Sequence, residues 1–158
     1  MGVVIDELHA LALLLAANAV PVIVGKLARG RAALPLDFGL VMPDGERLFG
    51  SHKTWRGLAS GIAACVLLAI YLHLPVWLGA GFGALSLAAD ACSSAAKRRM
   101  RLKPGSEVLG LDHVAETLVP LFVFAEPLGL QLAEIVLVTA CFVVLGVATA
   151  RLRHRHWL

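Results

Sequence analysis

The strongest constraint on this chain is the placement of its cations. All 14 lysines and arginines stand in three polar segments. Lys26, Arg29, Arg31, Arg47, Lys53 and Arg56 occupy the first, Lys97, Arg98, Arg99, Arg101 and Lys103 the second, and Arg151, Arg153 and Arg155 a tail. Around them run five apolar stretches, about 8–24, 58–74, 76–96, 114–130 and 132–150. Each is near the ~20 residues that a helix needs to cross a bilayer core. Long polar loops, 25–57 and 97–113, follow the first and third stretches, whereas only short turns at His73–Pro75 and Glu126–Gly129 follow the second and fourth. Five spans therefore put both loops and the tail on one side. The positive-inside rule makes that side cytoplasmic and the N-terminus external. Four or six spans would scatter the cations over both faces. The expected fold class is an all-α integral membrane protein of five transmembrane helices. It is expected to form a single polytopic domain over 1–158, located in the inner or plasma membrane.

Composition agrees with that reading. Of 158 residues, 59% are hydrophobic and 16% charged, more apolar than a soluble core of this length can bury, given roughly 25% charged residues in ordinary globular domains. Cys65, Cys92 and Cys141 lie far apart without metal-ligand spacing and read as small apolar side chains. Leu8 to Ala16 followed by Ala17-Asn18-Ala19 has the outline of a signal peptide, but Asp6 and Glu7 stand where one carries cations, so the segment is expected to be a retained span. Gly57-x-x-x-Gly61 and Gly79-x-x-x-Gly83 suit close helix packing.

Acid set against base marks where chemistry would sit. Asp90 lies inside an apolar stretch, where an ionisable group is costly and signals either a function or a partner. Asp90, Ser94, Lys97 and Arg101 fall on one helical face, so Asp90 either serves a site or forms a structural pair with Lys97. Asp112 and Glu116 share a face at the start of the fourth stretch. They answer either to the helix dipole or to a divalent cation held by hard oxygen ligands. The first loop adds Asp44-Gly45 and Arg47-Leu48-Phe49-Gly50-Ser51-His52-Lys53-Thr54-Trp55-Arg56-Gly57, whose glycines, hydroxyls and cations suit a polyphosphate. Its spacing is not that of a nucleotide-hydrolase P-loop. Trp55 is also placed to anchor at the membrane interface, and His52 and His113 also fit as solvated loop residues.

These residues resemble CDP-archaeol synthases, relatives of CDP-diacylglycerol synthase among the membrane CTP transferases. The matching pieces are Pro35-x-Asp37-x-Gly39, Asp44-Gly45, Leu48 through Gly57, Asp90, Lys97-Arg98-Arg99 and Leu111-Asp112-His113. One departure is local: the family pattern carries a second Asp three residues after the position of Asp112, where this chain has Ala115 followed by Glu116.

The resemblance implies cytidylyl transfer from CTP to a lipid phosphate, giving a CDP-lipid of archaeol or diacylglycerol type and pyrophosphate. It implies Mg²⁺ held by Asp90, Asp112 and Glu116. Asp90, Asp112, Lys53 and Lys97 become the catalytic candidates. Asp44, Lys53, Thr54, Arg56, Ser94, Lys97 and Arg98 become candidates for binding CTP and phosphate. Partners would be CTP, the lipid acceptor and the bilayer, with a second copy of the chain also compatible and no nucleic acid expected. Two non-enzymatic alternatives stand beside this: a small transporter or channel, and a scaffold whose basic face holds anionic lipid.

Overall fold

The computed structural model describes residues 2–29, 31, 33–102 and 111–155, with the side chains of 6–29, 31, 33–102 and 113–149. Lys103 and the side chains of Asp112 and the tail arginines lie outside that set. Five helices form within it: α1 (Gly2–Leu27), α2 (Trp55–Tyr71), α3 (Val76–Arg99), α4 (Leu111–Val123) and α5 (Leu132–Arg155). Asp6–Leu27, Val76–Arg99 and Leu132–Thr149 are long and apolar enough to cross a membrane, while Trp55–Tyr71 and His113–Val123 are apolar but shorter. Among the described residues there is no strand, only isolated antiparallel bridges at Pro35–Thr54 and Val41–Arg47.

Local chemistry sets the helix ends. Thr54 takes extended angles and its Oγ1 accepts the Gly57 N–H at 3.1 Å, so α2 starts at Trp55, ahead of the apolar stretch. It stops at Tyr71 because His73 adopts a φ of +58° and Pro75 disfavours helical angles at the residue before it. Helix α3 runs on through Lys97, Arg98 and Arg99, placing those cations on a last helical turn rather than in a loop, where the helix dipole favours positive charge. The stretch expected over 114–130 divides: α4 ends at Val123, and turns lead through Gly129 at φ +67°. Helix α5 is then capped by the Glu134 carboxylate, which accepts the Gln131 N–H at 2.8 Å.

The helices pack as a ring in chain order, with α5 returning to α1 and α3 also touching α1. Close approach depends on small residues. A Cβ on Gly79 would stand 2.6 Å from the Cys65 carbonyl oxygen, and one on Gly61 2.9 Å from that of Ala17. These contacts seat α3 on α2 and α2 on α1 as small residues do in membrane helix pairs. Leu13, Leu14, Leu78, Phe82 and Leu121 fill the centre with no exposed surface. The outer surface is equally apolar: Leu67, Ile70, Trp77, Phe122, Val136 and Val144 are each more than half exposed. A bundle apolar inside and outside is matched to lipid rather than water.

Candidate active site

The polar end of the bundle is organised by the connection from α1 to α2, folded as a two-tier hairpin. In the inner tier Leu36 N–H donates to the Lys53 carbonyl at 2.8 Å and Trp55 N–H to the Leu34 carbonyl at 3.0 Å. In the outer tier Leu48 N–H reaches the Leu40 carbonyl at 3.1 Å and Met42 N–H the Glu46 carbonyl at 2.9 Å. Asp37 ties the tiers together. Its buried carboxylate accepts from Arg47 at 2.7 Å, Gly39 N–H at 3.0 Å and Phe49 N–H at 3.2 Å. Burial alone would raise its pKa, but those hydrogen bonds and the Arg47 charge outweigh burial and hold it below the usual carboxylate range. Arg99 at the end of α3 grips the hairpin tip, pairing with Asp44 at 3.1 Å and donating to the Arg47 carbonyl at 3.1 Å.

This framework delivers Lys53 to α3, where its ammonium pairs with the Asp90 carboxylate. Both are only partly shielded, at 25% and 21% side-chain exposure, because they stand where two cavities meet. The smaller, about 240 Å³, is lined mostly by charged and polar residues: Lys53, Asp90, Ser94, Lys97, Arg98 and Glu116 all border it, with Phe49, Gly50, His52 and His113. The larger, about 360 Å³, mixes apolar walls from Pro21, Val22, Leu36, Leu58 and Leu87 with Asn18, Thr54 and Arg56. His52, Lys53 and Asp90 belong to both. Lys97, Arg98 and Glu116 are buried, at 9%, 4% and 6% exposure, so their charges act away from bulk water.

Most of the candidates named from sequence thus converge on one place. Asp44 differs: it lines neither cavity and is engaged with Arg99 at the hairpin tip. Thr54 and Arg56 face the larger cavity, with Thr54 capping α2 and Arg56 donating to the Arg31 carbonyl. Asp112 belongs to α4 by its backbone, and its side chain lies outside the described residues.

Three contributors were not assigned from sequence. His113 holds Glu116, with Nδ1 2.8 Å from Oε1, and its ring stands edge-on to Phe142 of α5, centroids 6.0 Å apart. Asn18 brings a polar group from α1, donating to the Leu14 carbonyl at 2.9 Å and to Ser86 at 3.4 Å. Asp37 builds the hairpin. The available signals were an amide inside an apolar stretch for Asn18 and the Pro35-x-Asp37-x-Gly39 spacing for Asp37. For His113 the signal was its place in Leu111-Asp112-His113, one of the pieces that carry the family resemblance.

The model of the CarS-like family, CDP-archaeol synthase, matches residues 2–79, covering the hairpin and Lys53 and ending before Asp90. The CDP-archaeol synthase of Thermococcus onnurineus is 38% identical over 122 residues, covering 70% of this chain and 68% of that protein. A solved structure of an intramembrane enzyme for archaeal membrane lipids biosynthesis aligns with 93% of this chain and 91% of its own, at TM-score 0.69 and 30% identity. The chain belongs to the CDP-archaeol synthase family. The Thermofilum pendens family member is 40% identical over 103 residues, and there the match covers 62% of this chain but half of the relative's length. Membership in this family, together with helices long and apolar enough to span, makes the chain a multi-pass membrane protein.

Proposed function

We propose that this protein is a CTP-dependent cytidylyltransferase that converts a membrane lipid phosphate to a CDP-lipid. The observation that carries the proposal is the meeting, at Lys53 and Asp90, of a cavity bordered mostly by charged and polar residues with one bordered also by apolar helix side chains. The smaller cavity suits a triphosphate: Lys53 and Lys97 offer point charges and Arg98 a planar donor fork. The larger suits a lipid headgroup, with Arg56 and Thr54 among apolar walls. An oxygen of the lipid phosphate attacks the α-phosphorus of CTP, and the bond from that phosphorus to the β-phosphate bridging oxygen breaks. Pyrophosphate leaves with the electron pair. No covalent enzyme intermediate is required, so the protein contributes alignment and charge neutralisation.

The donor set fits Mg²⁺. Asp90 and Glu116 present hard carboxylate oxygens to the smaller cavity. Among the described residues no three His, Cys, Asp or Glu form a metal cage, and Mg²⁺ characteristically takes one or two carboxylates and completes its shell with substrate phosphates and water. Asp112 is the third candidate ligand. When bound, the ion would neutralise triphosphate charge and the developing charge on the leaving oxygen. His113 keeps Glu116 oriented, and Lys53 keeps Asp90 turned towards the junction.

In this reading α1 to α5 are five spans of a single polytopic domain, N-terminus outside, and the site faces the cytoplasm. Its support is the cation distribution, which the positive-inside rule assigns to the side where CTP is found. The transporter and scaffold alternatives do not account for the family membership. The test is purified protein with labelled CTP, Mg²⁺ and a panel of acceptors including phosphatidate and archaetidyl-type ether phosphates, followed by lipid extraction. Label in the lipid phase is the expected result. Its absence with every acceptor, from folded protein, would sink the proposal.

A further inference from the structure

The hairpin between α1 and α2 has its polarity reversed. Two of the charged groups in its body turn inward, with Asp44 exposed only at the tip: the Asp37 carboxylate has no exposed surface and is held by Arg47, while Lys53 points at Asp90. Four large apolar side chains of the same hairpin turn outward, Leu34, Phe38, Leu40 and Val41, exposed by 52%, 70%, 54% and 56%. Scattered exposed apolar residues are ordinary, but four such large side chains grouped on one short hairpin mark a covered surface. Phe38 occupies this face with a φ of +48°, a costly conformation for a phenylalanine.

We propose that this hairpin is an interfacial anchor, seated in the boundary between lipid headgroups and acyl chains. The occupant of its apolar face is the bilayer, because the face continues the lipid-matched surface of the bundle. The Phe38 ring stands 5.9 Å from that of Trp55, the first residue of apolar α2. Leu27, the last residue of α1, is 77% exposed at the other end of the same connection. Amphipathic rings such as that of Trp55 are typical of membrane interfaces. The hairpin also supplies Ala33 and Leu36 to the wall of the larger cavity, so seating it there fixes that wall at the depth of lipid phosphate groups. This inference rests on residence in a membrane and is independent of cytidylyl transfer.

The test is spin-label depth measurement on full-length protein in phosphatidylcholine–phosphatidylglycerol vesicles, with exposed Cys92 and Cys141 replaced by alanine and buried Cys65 retained. Labels go on Phe38→Cys and Val41→Cys. Pro43→Cys is the reference, beside the Asp44–Arg99 pair that keeps the hairpin tip on the polar side. Labels at 38 and 41 are expected to collide more with oxygen than with a water-soluble nickel chelate, at a depth of about 5–10 Å below the headgroup level. The label at 43 is expected to behave as if in water. Equal nickel access at 38, 41 and 43 would overturn the anchor. So would spin–spin broadening at 38 that disappears on dilution with unlabelled protein, because the face would then be covered by a second copy. If Phe38→Cys fails to fold, Leu34→Cys reports the same face.

Discussion

Two acid–base pairs stand at the polar end of this protein, and their surroundings assign them opposite work. In the pair of Asp37 and Arg47 the carboxylate is saturated: it accepts from two backbone N–H groups as well as from the guanidinium and has no exposed surface. Asp90 and Lys53 are partly exposed at the junction of two cavities. A carboxylate whose acceptor positions are filled by the fold holds the fold, whereas one facing an open cavity is placed to meet a ligand. The first pair builds the hairpin and the second uses what the hairpin delivers.

The sharpest way to break this contrast is to neutralise each acid in turn. Asp90→Asn preserves shape and removes the charge at the junction, so transfer should fall by about 10²-fold or more, the scale for losing a key electrostatic contact in a transition state. Its melting midpoint should change little. Near-normal turnover, measured as lipid-phase label, would remove Asp90 from the site. Asp37→Asn should do the reverse. It weakens charge-assisted hydrogen bonds worth about 1–3 kcal/mol together with a partly exposed ion pair, lowers thermal stability and loosens the segment carrying Lys53. An increase in KM for CTP of up to about tenfold, with kcat largely retained, corresponds to ~1.4 kcal/mol of lost positioning. A fall in kcat with KM unchanged would contradict the positioning role.

Asp37 also predicts a pH signature. Its folded-state pKa is depressed, so its stabilisation is fully present above the unfolded-state value of about 3.9 and is lost as pH falls through the lower folded value. Wild-type melting midpoints should decline along that acid limb, and Asp37→Asn should flatten the decline.

The bundle was far more legible in the sequence than this contrast. Apolar stretches and confined cations mark helices because lipid imposes length and polarity on each segment separately. Lys97 and Arg98 were found among the site candidates, but their place on a last helical turn depended on where α3 ends, which hydropathy does not fix. Asp90 was visible as a charge in an apolar stretch; its pairing with Lys53 was not, since the two stand 37 residues apart and meet only through the hairpin. Asp44 was named with its neighbours as a candidate for binding CTP and phosphate, and its pairing with Arg99 at the hairpin tip had no sign in the sequence. Helical spacing brought Asp112 and Glu116 together on one face, but gave no sign that His113 would hold Glu116.

That last contact gives a smaller prediction. A Cβ on Gly146 of α5 would stand 3.1 Å from both Cε1 and Nε2 of His113, tight enough to move the ring and, through Nδ1, the Glu116 carboxylate. His113→Ala should reduce activity about tenfold, at the lower end for partners that orient a metal ligand. Gly146→Ala, which disturbs the ring without removing it, should reduce it less. Both should raise the Mg²⁺ concentration needed for half-maximal transfer. An unchanged Mg²⁺ dependence would detach Glu116 from the metal.

The smallest effect belongs to the clamp on the hairpin tip. The Arg99–Asp44 pair is about a third exposed on each side, and such pairs contribute about 0–1 kcal/mol once solvent screens them. Arg99 also donates to the Arg47 carbonyl at 3.1 Å, so Arg99→Gln removes an ion pair and weakens a link between α3 and the hairpin. Asp37 still ties the tiers from within. The expected outcome is a melting midpoint lowered by no more than a few degrees, with kcat near wild type. Combining Arg99→Gln with Asp37→Asn should then cost more than the two single effects together, because each restraint covers for the other. Strict additivity would show that the tip and the buried carboxylate hold the hairpin independently.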